Sequence, residues 1–331
     1  MKPLSASLTI GQLMAYVGMV LWAIYLFVGG FIDLRSFQWS TALLLFAALV
    51  LVPLVLDLVE VETAVERTGT LLRLVQLLQL PAALGLVAAC LQNSGWLALA
   101  LAMPWVMLTG VTAILGIRRV WRRGLRSGVP PCQEVGLIYF SVGGAWVAAD
   151  RLGMQPLGFS ADIVQLTAVH FHYAGLVLPV LAGCILQRFP ANRLARWAGW
   201  GILAGIPLVA IGITGAQLGV GQAGEAVAAI VLGSSGCVLA GFQLVLVVES
   251  KVQRATRVLW TIGSLAFVFG MTLAVLYGMR SVAMPLAWLD IPWMRALHGT
   301  ANALGFCFLG LVGWSIAPRM AQGVTGDADG C

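Results

Sequence analysis

WSTALLLFAALVLVPLVLDL, residues 39–58, contains a single ionisable side chain, Asp57. The hydrocarbon core of a bilayer is about 30 Å thick, so a helix needs about 20 mostly apolar residues to cross it. This stretch therefore predicts a membrane-spanning helix. Counted with it, the chain has ten such stretches, of which the fifth is the shortest, and the predicted spans are approximately 9–32, 39–58, 71–91, 95–117, 134–149, 163–187, 197–216, 224–248, 257–279 and 291–317.

The composition is also that of a membrane protein. Of the 331 residues, 60% are hydrophobic and 10% are charged, whereas a soluble domain has about 45–50% apolar and about 25% charged residues. This difference excludes a soluble enzyme, a disordered chain and a nucleic-acid-binding protein. We predict an all-α fold, a polytopic transmembrane helical bundle, with one transmembrane helical domain at 1–318 and a short polar cytoplasmic tail at 319–331.

The distribution of basic residues predicts the orientation of the bundle. If the N-terminus is cytoplasmic, ten spans return the C-terminus to the cytoplasm. Fifteen of the 19 lysines and arginines then lie at inner loops and inner helix ends, and the four outer ones are Arg35, Arg151, Arg280 and Arg295. This asymmetry is what the positive-inside rule expects. We predict a multi-pass protein of the bacterial cytoplasmic membrane with both termini inside.

Two other groups of side chains have structural interpretations. Acidic residues at the inner ends of spans are typical of solvated helix ends, and they are Asp57, Glu60, Glu62, Glu66, Glu134 and Glu249. The six cysteines include no CxxC pair, and several lie in apolar spans. Their positions predict small buried side chains rather than a disulfide or a metal site.

All three histidines lie within predicted spans. Ionisable groups inside a span are costly, so each one is a candidate functional residue. His170 and His298 each lie eight residues beyond an outer acid, Asp162 or Asp290, which puts both at a depth of about 12 Å for a helical rise of about 1.5 Å per residue. His172 lies about 3 Å deeper. The sequence therefore predicts one layer of histidines in the outer half of the membrane.

Helical geometry predicts which side chains share a face with these histidines. At about 100° per residue, His170 and His172 point to nearly opposite sides of their helix. Thr167, Tyr173 and Ala174 share the side of His170, and Asn302 follows His298 by one turn. The predicted catalytic set adds outer carboxylates to the polar members of this group and comprises His170, His172, His298, Tyr173, Asn302, Asp150, Glu225 and Asp290. Further polar residues predicted in the same layer are Arg151, Gln217, Gln222, Tyr277 and Arg280.

Two motifs resemble the YndJ-like family of bacterial membrane proteins. They are HFHYAG at 170–175 and LHGTANALGF at 297–306, the second followed by GLVGW at 310–314. The similarity covers mainly residues 130–317. The resemblance implies an integral membrane protein and carries no defined activity.

A narrower resemblance concerns VHFHYAG at 169–175. This string is similar to the haem-ligand helix of haem–copper oxidase subunit I, in which two histidines on opposite faces bind two different haems. The chain has one other histidine, His298, so a haem–copper centre cannot be assembled. A single haem held by His172 and His298 stays geometrically possible, because bis-histidine ligation needs two facing helices at similar depth.

Three functions are compatible with the histidine layer. The favoured one is a membrane-embedded enzyme, a cyclase, isomerase or hydratase, that acts on a lipophilic small molecule by acid–base chemistry without a metal or cofactor. It depends on His170 and His298, which exchange protons near neutral pH, and on Tyr173 and Asn302 as hydrogen-bonding partners. The alternatives are a haem-binding or redox membrane protein and a small-molecule transporter or binding protein. The predicted partners are membrane lipids and the lipophilic substrate, with no nucleic acid.

Overall fold

The computed structural model describes residues 8–30, 33–61, 69–124, 128–249, 252–280 and 288–317. Within these ranges the regular structure is entirely helical, which confirms the all-α prediction. The helices are α1 (Ile10–Val28), α2 (Phe37–Phe46, Ala47–Leu51 and Val52–Val61), α3 (Gly69–Cys90), α4 (Trp96–Arg123), α5 (Cys132–Leu152), α6 (Ala161–His170, Phe171–Val177 and Leu178–Arg188), α7 (Arg193–Gln217), α8 (Ala223–Glu249), α9 (Arg254–Gly278) and α10 (Ile291–Met294, Arg295–Gly299, Ala301–Phe308 and Leu309–Ile316).

Nine of these ten described helices are long and apolar enough to cross a membrane, so the chain is a multi-pass membrane protein. The exception is α5, which corresponds to the shortest predicted span. It has 21 residues, or about 32 Å at the helical rise, but it carries Glu134, Asp150 and Arg151 near its ends. The predicted polar tail at 319–331 lies outside the described residues.

Helix boundaries follow from capping residues in the sequence. Thr9 begins α1, where its hydroxyl accepts a hydrogen bond from the backbone N–H of Gln12, and Ser36 caps α2 in the same way. Such caps satisfy backbone N–H groups that have no partner inside the helix. Gly153 ends α5 with φ of 77°, a left-handed conformation in which glycine carries no steric cost.

The centre of the bundle is formed by α2 and α6. In α2, 94% of the apolar span is buried by protein, and in α6 the fraction is 89%, against 39% in α3. The remaining helices surround these two, and consecutive pairs pack side by side: α4 with α5, α7 with α8, α8 with α9, and α9 with α10. Short connections between sequence neighbours favour this arrangement.

Three helices contain π-helical stretches that meet inside the bundle. These are Ala47–Leu51 in α2, Phe171–Val177 in α6, and Arg295–Gly299 with Ala301–Phe308 in α10. Those of α2 and α6 contact each other, and both contact the second stretch of α10. π-Helical turns are rare and are frequently found at functional sites. The periodicity of the sequence predicts ordinary helices here, so these stretches are a finding of the structure.

The acidic residues at the inner helix ends correct one prediction. Asp57 is buried rather than solvated, and its carboxylate accepts hydrogen bonds from the Thr9 hydroxyl and, at 3.1 Å, from the Gly11 backbone N–H. Glu134 is also buried and pairs with Arg123 at 3.0 Å. A buried carboxylate needs such donors, and in both cases a neighbouring helix end or basic side chain supplies them. The side chains of Glu60, Glu62, Glu66 and Glu249 lie outside the described residues.

Candidate functional site

A cavity of about 670 Å³ lies between α5, α6, α7, α8, α9 and α10. Most of its walls are apolar, with Val142, Ile206 and Phe267 as examples, and Trp146 adds an aromatic ring. Ligand sites have volumes of about 300–1,000 Å³ and combine apolar walls with a few polar groups. Because Gln217 and Arg280 line the cavity from the ends of α7 and α9, it lies at the end of the bundle that the charge distribution predicts to face outward.

His170 and His298 both line this cavity. His170 is the last residue of the first segment of α6, directly before the π-helical stretch. Its Nε2 atom is buried and has no hydrogen-bond partner among the described residues. The structure thus brings two of the three histidines together in one largely apolar cavity.

His298 has a defined hydrogen-bonding environment. Its Nδ1 atom lies 2.8 Å from the carbonyl oxygen of Gly270 in α9, and since a carbonyl only accepts, this contact assigns the proton to Nδ1. Nε2 then carries the lone pair, and the Asn302 amide nitrogen lies 3.4 Å from it. Asn302 fits here because Gly270 has no side chain: a Cβ atom at that position would lie within 3 Å of the Asn302 amide.

The predicted face of α6 is confirmed. Thr167, Tyr173 and Ala174 line the same cavity as His170. The Tyr173 hydroxyl is buried and donates a hydrogen bond of 2.8 Å to the Leu43 carbonyl oxygen in α2. Tyr173 therefore contributes its ring to the cavity wall, while its hydroxyl joins the two central helices.

His172 lies on the other side of α6 and is not among the residues that line the cavity. It is fully buried, its Nδ1–H donates to the Ala168 carbonyl at 2.7 Å, and its Nε2 accepts from the indole N–H of Trp105 at 3.0 Å. Its ring is nearly coplanar with the Trp105 ring, as the hydrogen bond between them requires, and it meets Phe140 in an edge contact. Both ring nitrogens are thus occupied, and the structure does not bring His172 and His298 together as the two ligands of a haem. This position corrects the prediction of one site containing all three histidines.

The three predicted carboxylates are separated. Glu225 is buried, lines the cavity and pairs with Arg280 at 2.8 Å. Asp150 is buried and pairs with Arg151, with 2.7 Å between its Oδ2 atom and the Arg151 Nη2 atom. Neither residue of this pair is among the described residues that line the cavity. Asp290 caps the start of α10 by accepting from the Trp293 backbone N–H at 3.0 Å, and it is exposed. Of the three, Glu225 alone is placed to act at the cavity.

The remaining outer polar residues divide in the same way. Gln217, Gln222, Tyr277 and Arg280 line the cavity, as predicted for one layer. Arg280 also lies over the ring of Tyr277, with its guanidinium carbon 3.7 Å from the ring centre. Within the described ranges, no three histidine, cysteine, aspartate or glutamate side chains come together as a set of metal ligands.

Arg295 is a cavity residue that sequence reasoning missed. It is buried and lines the cavity, although its position in the sequence indicated only an outer helix end. Its guanidinium pairs with Asp162 of α6 at 3.1 Å and donates to the Arg35 carbonyl oxygen. Arg295 precedes His298 by three residues, a spacing that places two side chains on one face of a helix. This spacing could have predicted that Arg295 lines the cavity.

Comparisons with known proteins agree with this architecture. A family model described as YndJ-like protein matches residues 42–306. The chain is similar to the uncharacterized membrane protein YndJ of Bacillus subtilis (strain 168), with 29% identity over 217 residues. That alignment covers 65% of this chain and 38% of the Bacillus protein, so the region matched by this chain is well under half the length of that relative. No solved structure matches the chain.

Proposed function

We propose that this chain, which belongs to the YndJ-like family of membrane proteins, is a membrane-embedded enzyme that acts on a lipophilic small molecule by acid–base chemistry. The observation that carries the proposal is the pair His170 and His298 in one largely apolar cavity of about 670 Å³. Histidine is the side chain whose charge changes near neutral pH. Two such groups beside one bound molecule suit a cyclisation, an isomerisation or a hydration.

The two imidazoles have complementary roles in this proposal. Both rings begin as neutral imidazoles, because burial in a largely apolar cavity disfavours the charged form. His298 takes a proton from the substrate at Nε2, since its Nδ1–H is held by the Gly270 carbonyl. The protonated ring then returns this proton at a second position of the substrate, beside the unpartnered Nε2 atom of His170, which can form a hydrogen bond to the substrate. The His298 ring is neutral again at the end of the cycle, so no cofactor is required.

Two neighbours position these groups. Asn302 lies against the His298 ring, with its amide nitrogen 3.2 Å from Nδ1 and 3.4 Å from Nε2, and so supports the ring from one side. The apolar walls exclude water from the proton transfers. Positioned acid–base groups contribute about 10²–10⁴-fold to a rate. The substrate is a lipid-soluble molecule of the outer half of the membrane, and the membrane proposed is the bacterial cytoplasmic membrane.

The test is a comparison of the lipids extracted from bacterial membranes that contain the wild-type chain or one of its variants. We expect a lipid species that accumulates with the wild type and falls at least tenfold with His170→Gln and with His298→Gln.

The matched control is Thr167→Val, which changes another polar residue on the same cavity face. The Thr167 hydroxyl bonds to the Ile163 carbonyl within its own helix, so its removal should leave the lipid species unchanged. Identical lipid profiles for the wild type and both histidine variants, at equal amounts of protein in the membrane, would refute the proposal.

A further inference from the structure

The end of the cavity near the helix termini contains a buried, incompletely paired arginine. The Arg295 side chain is 3% exposed. One of its terminal nitrogens bonds to the Arg35 carbonyl and the other pairs with Asp162. In the part of the chain that the structure describes, neither Nε nor Nη2 has a hydrogen-bond partner, since the contact of Nη2 with Asp162 is an ion pair without hydrogen-bond geometry. A buried donor without an acceptor costs about 1–3 kcal/mol, so this position calls for an acceptor that a ligand can supply.

The ion pair of Arg295 leaves positive charge in the cavity. Its partner Asp162 has a side chain that is 42% exposed. Water therefore screens the carboxylate, whereas the guanidinium is enclosed by protein. The two charges are close, but the hydrated carboxylate compensates the charge of the desolvated guanidinium only in part. The potential at the cavity wall near Arg295 is consequently positive.

Arg280 lies at the same end of the cavity. Its side chain is 25% exposed and pairs with Glu225, and both residues line the cavity. Among the described residues, the charged ones that line the cavity are thus Arg280, Arg295 and Glu225, two cations and one anion. This balance favours a ligand with one negative group at this end and an uncharged body among the apolar walls.

We propose that the cavity binds an amphiphile with an anionic oxygen head group, a phosphate or a carboxylate, which Arg295 holds through Nε–H with Arg280 beside it. This inference rests on the proposed function and names its substrate class. Arg295 and His298 are three residues apart, or about 5 Å along the helix axis. The reacting atoms therefore lie within the first few bonds from the head group, and the rest of the chain fills the apolar part of the cavity.

The test measures binding of two matched probes, dodecyl phosphate and dodecanol, to the purified full chain in a steroid-based nonionic detergent. A ligand that binds the folded state stabilises it by an amount that grows with the logarithm of its concentration divided by its Kd, and so raises the unfolding temperature. We expect dodecyl phosphate to bind at least tenfold more tightly than dodecanol. Arg295→Gln should reduce this preference to less than threefold, whereas Arg295→Lys, which keeps the charge, should retain part of it.

The control is Arg35→Gln. Arg35 is a cation at the same end of the bundle, 52% exposed and paired with Asp33, and does not line the cavity. Its replacement should leave the preference unchanged and keep the carbonyl that Arg295 uses. Equal affinity for both probes, or an unchanged preference in Arg295→Gln, would overturn the inference.

Two further arms separate this inference from its alternatives. Inorganic phosphate that raises the unfolding temperature as much as dodecyl phosphate would identify the ligand as a free anion and exclude an amphiphile. His298→Gln should keep the preference for dodecyl phosphate, since the imidazole does not hold the head group. If His298→Gln keeps the preference for dodecyl phosphate and the histidine variants have the lipid profile of the wild type, the binding site is supported and the proposed catalysis is refuted.

Discussion

His170 and His172 are two residues apart in α6 and have opposite environments. Both ring nitrogens of His172 are used inside the protein, by Trp105 and by the Ala168 carbonyl. The Nε2 atom of His170 is buried at a cavity without a partner in the described part of the chain. A buried polar atom with no partner is costly in a native protein and asks for an explanation. His172 is therefore a packing residue, and the proposed chemistry uses His170.

Helical geometry predicts that the His170 and His172 rings lie on opposite sides of α6. It does not predict which ring lines the cavity and which is buried in the packing. The sequence places His170 with Thr167, Tyr173 and Ala174, which the cavity confirms. It does not reveal that Trp105, 67 residues earlier in the chain, donates to His172. Long-range pairs of this kind depend on how helices pack, and no local pattern encodes them.

The hydrogen bonds predict the tautomers of His172 and His298. Each has Nδ1 within 2.8 Å of a carbonyl oxygen, from Ala168 and Gly270 respectively. We expect the Nδ1–H form for both rings, with Nε2 unprotonated. Nitrogen NMR of the labelled imidazoles in the purified protein distinguishes the two tautomers. An Nε2–H form of His298 would contradict the assignment of Nε2 as the base.

Removal of the Trp105 donor should destabilise the fold without affecting the cavity. In Trp105→Phe, the buried Nε2 of His172 loses its partner, which costs about 1–3 kcal/mol, and the unfolding temperature should fall. Preference for dodecyl phosphate should be unchanged, because neither residue lines the cavity. Trp96→Phe is the control, since Trp96 is 78% exposed, and an equal loss in both variants would refute the specific role of Trp105.

At the scale of the helices, the site depends on segments that depart from regular α-helix. The π-helical stretches of α6 and α10 begin directly after His170 and just before His298, at Phe171 and Arg295. Hydropathy predicts the spans that contain these stretches, because membrane insertion depends on apolar length. It does not predict the π turns, since the same apolar residues satisfy either helix and the choice is made by packing among α2, α6 and α10.

Gly270 couples α9 to α10 at the site. A Cβ atom in Gly270→Ala would displace the Asn302 amide and so disturb the His298 ring. The stability should change little, because a gain in helix propensity of about 1 kcal/mol offsets overpacking of about 1 kcal/mol. The lipid product should nevertheless decrease about tenfold, as part of the acid–base contribution is lost.

The control for this prediction is Gly241→Ala in α8. A Cβ atom there meets nothing within 4 Å, so the lipid product should be unchanged and the unfolding temperature equal or higher. Both variants are compared by lipid extraction and by thermal unfolding in detergent. If Gly270→Ala keeps full product formation, Asn302 does not position the imidazole.

For the whole molecule, the site and the charges are arranged asymmetrically along the membrane normal. The ion pairs Arg295–Asp162 and Arg280–Glu225 lie at the cavity end of the bundle, and Arg123–Glu134 lies where α4 ends and α5 begins, at the opposite end. The excess of basic residues at that opposite end predicts the cytoplasmic side. In this predicted orientation the cavity opens toward the outer leaflet, and the proposed amphiphile would enter with its head group beside Arg295.

This orientation predicts the labelling of single cysteines at the two ends of α6. The background is a variant whose six native cysteines are replaced by alanine. Into it a single cysteine is introduced, either by Gln155→Cys before the start of α6 or by Ala191→Cys after its end. Both positions are exposed. Because α6 crosses the membrane once, the two positions must lie on opposite sides. A membrane-impermeant maleimide added to intact cells should label position 155 and should reach position 191 only after permeabilisation. The reverse pattern would place the cavity on the cytoplasmic side, and the head group of the substrate would then have to come from the inner leaflet.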